Sequence, residues 1–455
     1  MSLKEEYQSK LRTADEIAAM VKSGEMIKYG YFTSKPVILD EALAKRHEEL
    51  RDVLVAATVT VPPVPQIIQH KESFAYMDWH WSKLTRALAQ YYDNIAYLPI
   101  IYHMSTDFVT NRIPAQGKQM DWVWKQAGPM DEHGCFNFGP SNTESLTCIE
   151  QAKRTVIEVN PNIPRCLGGG KEAVHISQVD YIVEAPQDQM LFSAPENNEA
   201  PPEFAMQIAT HLVDHIHSGS CIQLGIGDLP NALGQVLKKT DIKDLGIHSE
   251  MLVDVYMDMI DSGQANGSKK NFDKYKAVYT FAIGTQKMYD WMHNNPLIAS
   301  YSVDYTNDPR FIGQQDNMVS INQALQIDLL TQVSAESMGF SQISGNGGMT
   351  DFTLGVQWSK GGKSFICLPS THTDKEGNLI SRIVPSFPTG TSVTVTRHFV
   401  DYIATEFGIR KLKAQNTWVR TEYIIDLAHP KFRDELIKSA AEAKIWTRTN
   451  KQDNY

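Results

Sequence analysis

Short apolar runs alternate with amphipathic stretches along almost the whole chain, the pattern of strands buried on both faces with helices between them. Near the N-terminus, Thr13 to Val21 spaces its apolar residues as a short helix does. Ser23-Gly24 stops it, Met26-Ile27-Lys28-Tyr29 reads as a strand, and Gly30 as a turn. A helix after Pro36, running through Glu49, leads to a second apolar run from Val53 to Thr60. Further strands are predicted at Asn94 to Ile101, Asp121 to Ala127 and Thr155 to Val159. About 195 residues after Ser23 the same grammar returns. A helix over His211 to His217 is followed by Ser218 to Gly225, Pro230, a helix through Lys239 and the run Leu245 to His248. The shared skeleton S-G-x-x-I-x-x-G predicts a duplication: two three-layer α/β domains with mainly parallel sheets. The proline-rich stretch Ser193 to Pro202 suits a linker, so the domains are drawn at 1–192 and 203–455. In the second, strands are predicted at Val278 to Ile283, Ile298 to Val303, Val319 to Ile327, Ser364 to Leu368 and Thr391 to Thr396. An amphipathic helix from Lys431 to Trp446 closes the chain.

Composition removes several function classes. A net charge of −10 repels nucleic-acid phosphates at long range, so no nucleic-acid partner is expected. No apolar run approaches the roughly 18 to 20 residues that cross a bilayer, and no membrane association is expected. The charged start, MSLKEEYQSK, lacks the apolar core of a secretory signal, which points to the cytoplasm. Five scattered cysteines without a C-x-x-C pair read as reduced, buried small residues. Eight tryptophans and eighteen tyrosines supply large apolar faces, and a homo-oligomer, dimer or tetramer, is expected.

Few stretches carry chemistry. His211 and His215 stand four apart, but no glutamate completes H-E-x-x-H and no third ligand is indicated, so no metal is expected. Gly225-Ile226-Gly227-Asp228-Leu229-Pro230 resembles a dinucleotide fingerprint until Pro230 takes the place of its third glycine. What survives is a turn of exposed amides at a helix N-terminus, suited to a phosphate or a pantetheine amide, and no nucleotide cofactor is expected. Ser359 to Ser364 contains the G-K-S of a P-loop, but Gln357 replaces the first glycine and a strand follows. Ser344-Gly345-Asn346-Gly347-Gly348-Met349 differs, because glycines let backbone N–H groups converge into a nest for an oxyanion. Glu250, in LGIHSEMLVD, falls where the strand Leu245 to His248 hands over to a helix, the end of the strand at which open α/β sheets bind ligands.

Together these stretches resemble the class I CoA-transferases, in the acetyl-CoA hydrolase/transferase branch that includes 4-hydroxybutyrate and butyryl-CoA:acetate CoA-transferases. The resemblance spans nearly the whole chain. It is carried by Gly128-Pro-Met-Asp-Glu-His-Gly134, Val159-Asn160-Pro161-Asn162-Ile163-Pro164-Arg165, the GIGDLP turn, GIHSEM around Glu250, SGNGGMTDF and Ser381-Arg382-Ile383-Val384-Pro385. It implies that Glu250 is the nucleophile and that the amides of Gly347 and Gly348 form part of an oxyanion hole. It also implies that Gly225, Ile226, Gly227, Asp228 and Leu229, with Asn322, Ala324, Gly348 and Lys375, border coenzyme A. The loop around Lys375 is longer than is usual in the family, and Met349-Thr350 stands where many relatives carry glutamine or serine.

The chemistry of a glutamate agrees with that role. An ordinary glutamate, with a pKa near 4.3, is ionised at neutral pH and attacks a thioester without a general base. The expected function is CoA transfer between butyryl- or 4-hydroxybutyryl-CoA and a carboxylate such as acetate, with coenzyme A as co-substrate and neither metal nor nucleotide. An acyl-CoA hydrolase and a non-catalytic CoA- or sugar-phosphate-sensing protein are the alternatives. Tyr31, Val61 and Met104 are expected to face the acyl group, because the duplication puts Tyr31 just after the turn matching Gly225.

Overall fold

The computed structural model describes residues 2–196, 199–225 and 227–447. The chain forms two compact units that interleave in sequence. The first comprises residues 1–196 with 250–254 and 277–307; the second comprises 197–249, 255–276 and 308–455. Where the sequence reading drew one boundary near the linker, the compact units exchange two segments, and Glu250 lies in the first of them.

The first unit is built on a seven-stranded parallel sheet in the order Ile95–Tyr97, Phe74–Asp78, Val53–Ala57, Met26–Tyr29, Trp122–Ala127, Arg154–Val159, Tyr181–Glu184. Alternation along the strands separates two cores. Ile27, Tyr29, Val55, Trp122 and Trp124 face one, sealed by Ile17 and Leu43. Val123, Ile157 and Ile182 face the other with Phe136 and Ile149. Both faces are thus covered, as a parallel sheet requires. The helices start where the sequence supplies caps: Ser2 with Glu5, and Thr13 with Glu16, form reciprocal capping boxes for Leu3–Lys10 and Ala14–Met20.

The second unit repeats the plan in a six-stranded sheet ordered Gly246–Ile247, Cys221–Leu224, Met318–Gln323, Lys363–Cys367, Tyr402–Thr405, Gly408–Lys411. Only the last pair is antiparallel. Met26–Tyr29 corresponds to Cys221–Leu224, Val53–Ala57 to Gly246–Ile247 and Trp122–Ala127 to Met318–Gln323, so the duplication seen in the sequence is a duplication of topology. In both sheets the connections leave the founding strand towards one edge and resume on its other side. The crevice beside it is a topological switch point, where open α/β sheets bind ligands.

Several predicted elements differ: the helix placed at 211–217 runs over Glu203–Val213, and the strand placed at 298–303 stops at Ser300, where a helix follows from Val303. The strand placed at 391–396 is absent; Thr394 and Val395 donate to the carbonyl of Val333, which makes only an isolated bridge. The run 319–327 breaks into Met318–Gln323 and Gln326–Asp328, and 278–283 into Ala277–Tyr279 and Phe281–Ala282. The segment 359–362 joins the helix Met349–Val356 to the strand Lys363–Cys367, so it is a helix-to-strand turn. Among the described residues, no helix is long and apolar enough to cross a membrane.

Candidate active site

In the first unit, Glu250 opens a short apolar segment rather than a helix. Met251–Leu252 pairs in parallel with Phe281–Ala282, and both strands are buried. The carbonyl of Glu250 accepts from the Thr280 amide at 3.0 Å, while Thr280 offers its own carbonyl to the Asn142 amide at 3.1 Å. Pro140 accepts from Ala282 at 2.7 Å on the other side of Ser141, so residues 140–142 run along the 280–282 segment that pairs with Met251–Leu252.

The side chain of Glu250 is half-buried. Asn307, fully buried just after the helix Val303–Thr306, donates from Nδ2 to Glu250 Oε2 at 2.6 Å. A charge-assisted bond of this kind fixes a carboxylate in one rotamer, which a nucleophile needs in order to meet a carbonyl carbon. Sequence reading missed Asn307; a lone asparagine after a short helix has no spacing signature.

Met251 packs into a cluster with Tyr31, Phe32, Trp79, Tyr102, Phe281 and Val303. Phe32 and Phe281 stack with centroids 3.7 Å apart and planes at 10°. Phe32 holds φ at 49° and Val59 at 43°, left-handed conformations that cost non-glycine residues about 1–3 kcal/mol each and that cluster at functional turns. Tyr31, which is 3% exposed, accepts from Trp79 Nε1 at 2.9 Å and from the Lys28 ammonium. Burial, then the Glu144 carboxylate, push its phenol well above the ordinary range.

Tyr31 also walls a narrow apolar cavity with Lys28, Ala57, Trp79, Phe108 and Ile113. Val61 and Met104 are not in that wall. Val61 is buried with its carbonyl bonded to Lys35 Nζ at 3.0 Å, while Met104 is 38% exposed. Of the three residues expected to face the acyl group, only Tyr31 joins both the cavity and the cluster that receives Met251.

The remaining candidates lie in the second unit. Gly227 adopts φ 108° and immediately precedes the helix Asp228–Leu237, which explains the glycine. Gly227 and Asp228 are exposed and Leu229 is buried, leaving the turn's backbone and the Asp228 side chain to meet a ligand; Ile226 lies outside the described residues. Asn322 and Gln223 exchange side-chain amide bonds at 3.1 and 3.2 Å beside that turn. Ala324 is buried and donates to the Cys367 carbonyl at 2.9 Å.

Gly347 takes φ 54°, and Gly348 is the N-cap of the helix Met349–Val356. Asn346 braces the turn from Nδ2 to Thr350 Oγ1 at 2.8 Å. Among the described residues, the N–H groups of Gly347 and Gly348 donate to no protein acceptor although both glycines are buried. Two unspent backbone donors at a helix start suit an anionic oxygen. Lys375 is exposed at the tip of the hairpin Thr371–Thr373 and Leu379–Ser381, whose turn Asp374 ties to the amides of Glu376 and Asn378.

Among the described residues, no group of three or more His, Cys, Asp or Glu is arranged to hold a metal ion. His211 ends the helix Glu203–Val213, while His215, just beyond it, packs on Phe365 and Tyr402 at 5.3 and 5.5 Å.

Comparison with known proteins gives the kinship. The chain matches the acetyl-CoA hydrolase/transferase N-terminal domain over residues 1–192 and the C-terminal domain over residues 284–440. It is 44% identical to the butyryl-CoA:acetate CoA-transferase of Anaerostipes caccae over 454 residues, covering 99% of this chain and 100% of that one. It is 36% identical to the 4-hydroxybutyrate coenzyme A transferase of Clostridium kluyveri, covering 96% of this chain and 98% of the relative. Among solved structures, RipA from Yersinia pestis superposes with a TM-score of 0.87 at 34% identity, covering 98% of this chain and 100% of RipA. The chain therefore belongs to the acetyl-CoA hydrolase/transferase family, the branch of the CoA-transferases to which its motifs point.

Proposed function

We propose that the protein moves coenzyme A between a short-chain acyl-CoA, butyryl- or 4-hydroxybutyryl-CoA, and a free carboxylate such as acetate, through a thioester on Glu250. The observation that carries this reading is the Glu250 carboxylate, half-buried and fixed through Oε2 by Asn307, in a segment that packs against Tyr31. Glu250 attacks the acyl carbonyl and expels CoA thiolate, leaving an acyl-glutamyl anhydride. The thiolate attacks the glutamyl carbonyl, releases the first acid as its carboxylate and leaves the glutamyl-CoA thioester. The acceptor carboxylate runs the same steps in reverse, so kinetics are ping-pong.

Each tetrahedral intermediate needs oxyanion donors, the role assigned to Gly347 and Gly348; one such donor is worth about 2.7 to 4 kcal/mol. Gly225 to Leu229, Asn322, Ala324 and Lys375 are assigned to coenzyme A, whose length supplies binding energy far from the reacting carbon. The protein is read as a cytosolic dimer or tetramer.

The test is direct. After incubation with acyl-CoA and digestion, the peptide holding Glu250 should carry a CoA adduct, and Glu250→Gln should abolish both the adduct and transfer. Absence of the adduct together with full activity of the variant would overturn the reading. Thiol release from butyryl-CoA without an acceptor acid, as fast as transfer of CoA from butyryl-CoA to acetate, would replace transferase by hydrolase.

A further inference from the structure

Two lysines stand where a parallel sheet normally admits only apolar side chains. Lys28 is 9% exposed and Lys125 is 1% exposed, and they occupy the two strands that flank the first unit's switch point. An ammonium is expensive to bury, so each needs a reason to be there. Register shows how special the positions are. Ile27 pairs with Trp122 in the first sheet as Ile222 pairs with Val319 in the second. Counting along the strands from those pairs, Lys28 and Lys125 correspond to Gln223 and Asn322, the amide pair beside the glycine turn of the second unit.

Lys125 joins two turns. Its Nζ donates to Ser34 Oγ and to the Ser141 carbonyl, each at 2.7 Å, and both serine hydroxyls donate to the Tyr31 carbonyl, at 2.7 and 2.9 Å. Gly30 lets the first turn close on the lysine, since a Cβ there would meet Ser34 O at 2.3 Å and Lys125 Cγ at 2.9 Å. Beyond Ser141 the path is short: Asn142 donates to Thr280 O, and Thr280 donates to Glu250 O. The Tyr31 turn and the edge at 140–142 are therefore tied together by one buried lysine, and the Glu250 segment is linked to them through Thr280. The charged and titratable groups facing it are Glu144, Lys28, Tyr31 and Cys148; Lys28 lies 3.5 Å from Glu144.

We propose that Lys125 is a positioning residue for Glu250, holding residues 140–142 so that the Thr280 bond fixes the backbone of Glu250, from which the Asn307-held carboxylate attacks. The inference rests on the reading of Glu250 as nucleophile. Burial pushes the Lys125 ammonium down to about 7 against the pull of Glu144.

The experiment compares Lys125→Met, Ser34→Ala and the parent enzyme in steady-state kinetics, melting temperature and the rate at which the Glu250 peptide gains its CoA adduct. The expected result for Lys125→Met is a kcat lowered about 10- to 100-fold, the scale of a misplacement near 1 Å, with KM for acyl-CoA and acid within about threefold. Adduct formation should slow by the same factor. Ser34→Ala, which removes one anchor, should lower kcat by a smaller factor with KM unchanged, and it decides the matter if Lys125→Met does not fold. A variant that melts lower yet keeps parental kcat and adduct rate makes Lys125 a plain structural anchor and overturns the proposal alone. A parent enzyme that forms no adduct on Glu250 overturns the nucleophile and this proposal together.

Discussion

The Nδ2 of Asn307 lies 2.6 Å from Oε2 of Glu250, a donor and a carboxylate that are 57 residues apart in the chain yet belong to the same compact unit. A hydrogen bond to a charged group contributes roughly 1.5–3 kcal/mol. Asn307→Ala should therefore lower kcat about 10- to 100-fold while KM for acyl-CoA changes little, as steady-state kinetics would show. An unchanged kcat would mean that the contact does not orient the carboxylate.

Tyr31 belongs both to the Met251 cluster and to the wall of the apolar cavity. Tyr31→Ala should open that space and shift preference towards bulkier acids by about tenfold or more for each methylene pair accommodated. The measurement is relative kcat/KM across acetate, butyrate, 4-hydroxybutyrate and hexanoate. Identical ratios in parent and variant would remove Tyr31 from the acyl wall.

Phe281 is 4% exposed and stacks on Phe32. Phe281→Ala should cost about 3–5 kcal/mol in urea unfolding, because the cavity it leaves is walled by rigid aromatic rings. Tyr91, 82% exposed, serves as control: Tyr91→Ala should stay within about 0.5 kcal/mol of the parent.

Lys125 makes stability depend on pH in a stated direction. Its folded-state pKa, about 7, lies below the ordinary lysine value of 10.5. Between these values the unfolded chain holds a proton that the native protein has released, so stability contributed by this group grows as pH rises through that window. Relative to Lys125→Met, the parent should gain about 1–3 kcal/mol from pH 7 to pH 10. Paired denaturation curves at the two pH values give the answer, and a relative loss over the same range would contradict the assignment.

Much of this architecture is legible in the one-dimensional pattern. The S-G-x-x-I-x-x-G skeleton marks both founding strands because a buried strand closed by a glycine turn leaves that trace wherever it occurs, and in both sheets the founding strand lies between corresponding neighbours. Fold class and family are legible for the same reason, since they rest on long runs and ordered motifs. What is not legible is what depends on partners distant in sequence. The run 391–396 has the composition of a strand but finds only Val333 to pair with. Val61 and Met104 sit close in sequence to cavity-lining residues, yet Lys35 draws the Val61 carbonyl aside and Met104 lies at the surface. Asn307 leaves no trace at all, whereas Lys125 does: a lysine directly after Trp122-Val123-Trp124 is an anomaly visible in the letters alone.

The interleaving of the two units bears on how such genes recombine. Part of the first unit's aromatic core, Met251, Phe281 and Val303, is encoded in the latter half of the chain. A chimera that exchanges N-terminal halves between relatives at the proline-rich linker would mate one protein's Phe32 with another's Phe281. Grafting the whole first unit thus has to carry residues 250–254 and 277–307 along with the N-terminal portion, three separate segments joined at five junctions and moving as one inheritance.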